Sequence, residues 1–101
     1  ASIEPKRSET SMPYNETFDI VAFRSRQHAI HFNQVLQEAG INAHIISTPR
    51  EVALGCGISL KFSPYVTNKV ISLYKAYNPP IIGFYHVTRT GGSTIIARIP
   101  V

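Results

Sequence analysis

Short apolar runs alternate with helical stripes along the chain. FDIVAF, residues 18–23, is apolar and β-branched, which predicts a buried strand. Ser25 then stands where an N-cap belongs. Ala29, Phe32, Leu36 and Ala39 recur at helical spacing with Val35 beside them, predicting a helix over 26–39. Gly40 follows at the position where a left-handed residue ends helices. NAHIIS, residues 42–47, reads as a second strand. GISLKF alternates, with Ile58, Leu60 and Phe62 on one side and Ser59 and Lys61 on the other, so it reads as a half-buried strand. Ser63 and Pro64 open a second long helix, with Val66, Val70, Leu73 and Tyr77 on one face, and NPP at 78–80 stops it. IIGFYHV, residues 81–87, is a fourth strand, with Gly83 marking a bulge or a close approach.

The order β-α-β-β-α-β implies an α+β fold. The expected arrangement is ferredoxin-like, a four-stranded antiparallel sheet with two helices on one face. Residues 18–88 form one domain in this reading. Residues 1–17, polar with Pro5 and Pro13, form a flexible arm. Residues 89–101 form a tail in which Thr94–Ile99 is a candidate extra strand, added to a sheet edge here or in a neighbour. The open sheet face would be solvated or would pair with another subunit, which makes a homodimer one expectation.

Composition narrows the function classes. A chain of 101 residues suits one domain, and its 44% apolar content suits a modest core. The net charge of +4 is spread thinly. Residues 1–17 carry two basic and three acidic side chains, residues 18–88 six and three, and residues 89–101 two and none. No basic stripe stands out, and GISLKF lacks the paired aromatics of an RNA-reading strand, so nucleic acid is not an expected partner. No apolar stretch approaches the roughly 20 residues that cross a bilayer. The polar first 17 residues have no apolar core of a signal peptide. A single cysteine forms no internal disulfide, so a reducing, cytoplasmic setting is expected.

The candidate chemistry sits in TPREVALGCGISLKF, residues 48–62. Thr48 and Glu51 have the spacing of a capping box, with Pro49 at the first helical position. One helical turn through about Leu54, ended by Gly55, is expected before Cys56. A lone cysteine is often an inert core residue. The flanking glycines Gly55 and Gly57 would instead let a partner approach the sulfur, and Arg50 could stabilise a thiolate. A helix ending at Gly55 would oppose that by pointing its negative end at the thiol. His28 and His31 make half a metal site at most, so no metal and no other cofactor is expected. His44 and His86 read as single strand residues that pack or point to solvent. No base and orienting group can be paired with Cys56, and neither GCG nor RTGGST is a phosphate loop, so a stand-alone enzyme is not expected.

From Asp19 to Val87 the chain resembles the selenium/sulfur carrier-like family of small bacterial proteins. Thr48, Pro49, Arg50, Cys56, Gly57, Leu60, Lys61 and Phe62 fit its T-P-R…C-G-hydrophobic-A/S-L-basic-F pattern, and LQEAGI at 36–41 looks like its first helix end. Both tails lack a counterpart. The resemblance implies that Cys56 bears a persulfide or selenopersulfide between a donor, such as a cysteine desulfurase, and an acceptor protein. Thr48, Pro49, Arg50, Glu51, Gly55 and Gly57 would form the supporting loop. The competing expectation is a non-catalytic small-ligand or protein-binding module in which Cys56 is structural.

Overall fold

The computed structural model describes residues 16–49, 52 and 57–101. Its elements are β1 (Glu16–Phe23), α1 (Arg26–Glu38), β2 (His44–Ser47), β3 (Ile58–Phe62), a 3-10 turn (Pro64–Val66), α2 (Thr67–Tyr77), β4 (Gly83–Thr90) and β5 (Ser93–Ile99). The strands form one five-stranded antiparallel sheet in the order β2-β3-β1-β4-β5. The sheet therefore has five strands rather than the expected four. The candidate strand at 94–99 forms β5, seven consecutive pairs long against β4. Gly91 and Gly92 connect the two, and Gly91 takes φ +61°, as the first central residue of a type II′ turn requires.

Both helices pack on one face. Val21, Phe23, Leu60, Phe62 and Phe84 point there and meet Ala29, Phe32, Val35, Leu36 and Val70 in a single core. The predicted stripe of α1 is buried as far as Leu36, but Ala39 is exposed because the helix stops at Glu38. Ser25 holds the N-cap position with extended backbone. Its carbonyl accepts the Ala29 N–H at 3.1 Å, while its side chain does not cap. At the other end Ile41 N–H donates to Leu36 C=O at 2.9 Å and Gly40 N–H to Gln37 C=O at 3.0 Å, with Gly40 at φ +82°. This is a Schellman ending, made affordable by the absent Cβ.

Ser63 Oγ accepts the Tyr65 N–H at 3.2 Å, so the Ser-Pro start begins a 3-10 turn before α2. Asn78 closes α2 in the left-handed conformation, φ +50°. Tyr77, the last residue of α2, is expected on the buried face but is 58% exposed; Thr67, at the start of the helix, is buried. Gly83 starts β4, where a Cβ would lie 3.1 Å from the Tyr85 hydroxyl, which makes it a close-approach glycine. On the opposite face Phe18, Ile20 and Val87 form a second buried cluster, bordered by Ile46, Val52, Tyr85 and Ile96.

Candidate functional site

The segment carrying the T-P-R…C-G pattern leaves the sheet after β2 and returns at the start of β3. Its two ends are joined. Thr48 N–H donates to Gly57 C=O at 3.0 Å, continuing the β2–β3 ladder. Thr48 Oγ1 and Ser59 Oγ share a hydrogen bond at 2.7 Å, and both residues are buried. Ser59 was expected on a polar, half-open strand side. It is fully buried, because Thr48 folds over it.

Gly57 completes this neck. A Cβ there would come within 2.7 Å of Thr48 Oγ1 and 3.0 Å of Thr48 Cβ, so only glycine lets the Thr48 side chain lie flat against the strand. Just inside the neck, Val52 N–H donates to Pro49 C=O at 3.0 Å, and the Val52 side chain packs on the Phe18–Ile20–Val87 cluster. The segment is thus pinned at its mouth by hydroxyls and backbone, and at Val52 by an apolar contact on the face away from the helices. Of the expected site residues, Thr48, Pro49 and Gly57 belong to this neck. Arg50, Glu51, Gly55 and Cys56, and with them the capping box and the cysteine, lie outside the described residues.

Two clusters escaped the sequence reading. Asp19, 4% exposed, lies on the helix face of β1. Its Oδ2 accepts from Thr67 Oγ1 at 2.5 Å, and its Oδ1 lies 2.5 Å from His86 Nδ1. An ionised carboxylate only accepts, so His86 donates through Nδ1 and turns Nε2 away from Asp19. His86 was expected to pack or point to solvent alone; its side chain, 40% exposed, is instead oriented by a buried acid. The signal was Asp19 itself, an acid inside an apolar strand, which needs partners when buried.

The second cluster lies on the other face. Lys61 Nζ donates to Glu16 Oε2 at 2.8 Å, and Arg89 lies 3.7 Å from the same carboxylate. Both cations sit over the Phe18 ring, Lys61 at 4.3 Å and Arg89 at 5.3 Å. The Lys61 hydrogen bond, helped by the charges of Lys61 and Arg89 and opposed by burial, holds the Glu16 carboxyl below its ordinary value of 4.5. An open groove of about 670 Å³ runs past this cluster, lined among others by Phe18, His44, Lys61, Pro64 and Tyr65. It lies at the Phe62 end of β3, about 13 Å from the neck at roughly 3.3 Å per residue.

His28 and His31 are both exposed on α1. Among the described residues no three His, Cys, Asp or Glu side chains gather as a metal site, and no helix is long and apolar enough to cross a membrane. No curated protein and no solved structure matches the chain. The family described as "Putative Se/S carrier protein-like" matches residues 19–86, from the buried acid of β1 through the pinned segment to its histidine partner on β4, and the chain belongs to that family.

Proposed function

We propose that this protein is a sulfur or selenium carrier whose Cys56 bears the chalcogen as a persulfide or selenopersulfide. The observation that supports this best is the closed neck at Thr48, Gly57 and Ser59 in a chain of this family. It fixes both ends of the segment holding the only cysteine, so a thiol there would be offered from a defined place rather than a free tether. In the first transfer the Cys56 thiolate attacks the terminal sulfur of a donor persulfide. A new S–S bond forms to Cys56, the donor S–S bond breaks, and the donor leaves as a thiolate. An acceptor nucleophile then takes the outer atom and Cys56 leaves as a thiolate. No net oxidant is needed. Having no second cysteine, the chain has no internal thiol to divert the persulfide into a disulfide.

Arg50 would favour the thiolate, Gly55 would clear the approach to the sulfur, and Thr48, Pro49, Glu51 and Gly57 would hold the segment. The donor would be a cysteine desulfurase, the acceptor a second protein, and the compartment a reducing cytoplasm. The first four strands, in the order β2-β3-β1-β4, would be a ferredoxin-like sheet extended by β5. The test is intact-protein mass spectrometry after incubation with a cysteine desulfurase and cysteine. The carrier gains sulfur on Cys56, loses it on reduction, and gains none as Cys56→Ser. A native thiol that alkylates only after denaturation would overturn the reading.

A second reading, a small-ligand module with a structural cysteine, is favoured by the groove beside Phe18, Lys61 and Tyr65. It requires a bound small molecule in that groove and predicts that the same mass spectrum shows an unchanged, unreactive Cys56.

A further inference from the structure

The two edges of the sheet are unlike. β2 is four residues long and runs directly into the pinned neck. β5 is seven residues long, with one charge, no proline and no interruption in its ladder with β4. Among the described residues its far edge has no strand partner. Ile95, 65% exposed, stands on the helix side of that edge, and Ile96 on the other side borders the Phe18–Ile20–Val87 cluster. Long, regular, apolar edges are normally blunted by charge, proline or a bulge, or else they are paired.

We infer that β5 pairs antiparallel with β5 of a second copy of this chain, about a two-fold axis at Ile96. This goes beyond the carrier reading and does not depend on it. Ile96 is the midpoint of Ser93–Ile99, so this register alone pairs all seven residues. Opposed residues of an antiparallel pair share a face, which places Ile96 against the partner's Ile96. Phe18 opposes Val87 and Val87 opposes Ile96 within one chain. The apolar row Phe18–Val87–Ile96 thus continues into its own symmetry mate. On the helix side Ile95 meets the partner's Ala97. Arg98, the strand's one charge, meets the partner's Thr94. The two Arg98 side chains are offset by four residues, about 13 Å, beyond the roughly 8–10 Å range of unscreened repulsion in ordinary salt. A two-fold interface of this kind is self-complementary and joins two five-stranded sheets into one. An interface built on one strand pair is small, so the dimer should dissociate on dilution.

Sedimentation of the full chain over a concentration series tests this, with Cys56→Ser as the background for the cysteine variants. A monomer–dimer equilibrium is expected. Ile95→Lys sets two ammonium groups about two residues apart across the axis and should weaken the dimer at least about tenfold while leaving the circular dichroism of the monomer unchanged. Ile96→Cys should cross-link to a disulfide dimer under mild oxidation, and Tyr65→Cys, at a fully exposed site remote from β5, should not. A chain that stays monomeric, which would leave the edge to a strand from another protein, overturns the inference. So does a dimer indifferent to Ile95→Lys, or equal cross-linking at both cysteines.

Discussion

Among the described residues two buried polar ties hold this sheet, one on each face, and they differ in kind. The tie at the neck is neutral: the hydroxyls of Thr48 and Ser59, 11 residues apart in sequence. The tie on the helix face carries charge: Asp19 between Thr67 and His86, 48 and 67 residues away. The neutral tie fixes the mouth of the cysteine-bearing segment and adds no charge of its own beside it. The charged tie joins the first strand to the start of α2 and to β4. Such a pair is costly to break, because an unpaired buried group keeps its full desolvation penalty. One tie positions a segment, and the other holds distant parts of the chain together.

The contrast predicts unequal consequences. Asp19→Ala should be the most damaging change, since it leaves the buried Thr67 hydroxyl without its acceptor and frees His86. A loss of about 2–4 kcal/mol is expected, read as a fall of roughly 10–20 °C in the thermal midpoint. A variant unfolding within a degree of the parent would mean that the tie contributes nothing. Changes at the neck come next. Gly57→Ala should cost about 1–3 kcal/mol by driving a methyl into Thr48, and less in a Thr48→Gly background, a coupling that a double-mutant cycle would measure. Ser59→Ala should cost about 1 kcal/mol and raise the alkylation rate of Cys56, with helical circular dichroism unchanged.

The smallest effect belongs to Glu16, whose ion pairs are partly exposed. Its carboxylate is favoured in the folded chain, so its contribution is full above the ordinary value of 4.5 and fades as the pH falls below it. Urea midpoints between about pH 3 and 6 should show that fraction of the slope disappear in Glu16→Gln and shrink in high salt.

How much of this was legible in the sequence depends on the range of the interaction. The stripe of α1 as far as Leu36, the glycine that ends it and the Asn-Pro stop are local signals and lie where the pattern places them, while the Ser-Pro start opens a 3-10 turn ahead of α2. Ser59 was misread because alternation assigns it to a polar side, whereas the residue that buries it arrives from the neighbouring strand. Asp19 announced a need for partners without naming them, since Thr67 and His86 are brought in only by the completed sheet. At the neck, Thr48 and Gly57 read in the sequence as loop residues. Their mutual fit, one side chain filling the space the other lacks, is a matter of contact that spacing does not encode.

The central position of β1 also sets an order of events during synthesis. Its residues pair with β3 and β4, so that Phe23 waits for Ile58 and Val21 for Phe84. At roughly 5–20 residues per second, β1 leaves the ribosome several seconds before either neighbour exists. The β4–β5 hairpin, closed by two glycines, can form within about 1–10 μs of its own completion. The most deeply buried of the described strands is therefore made before either of its partners, and its apolar run FDIVAF is open to a nascent-chain chaperone in that interval.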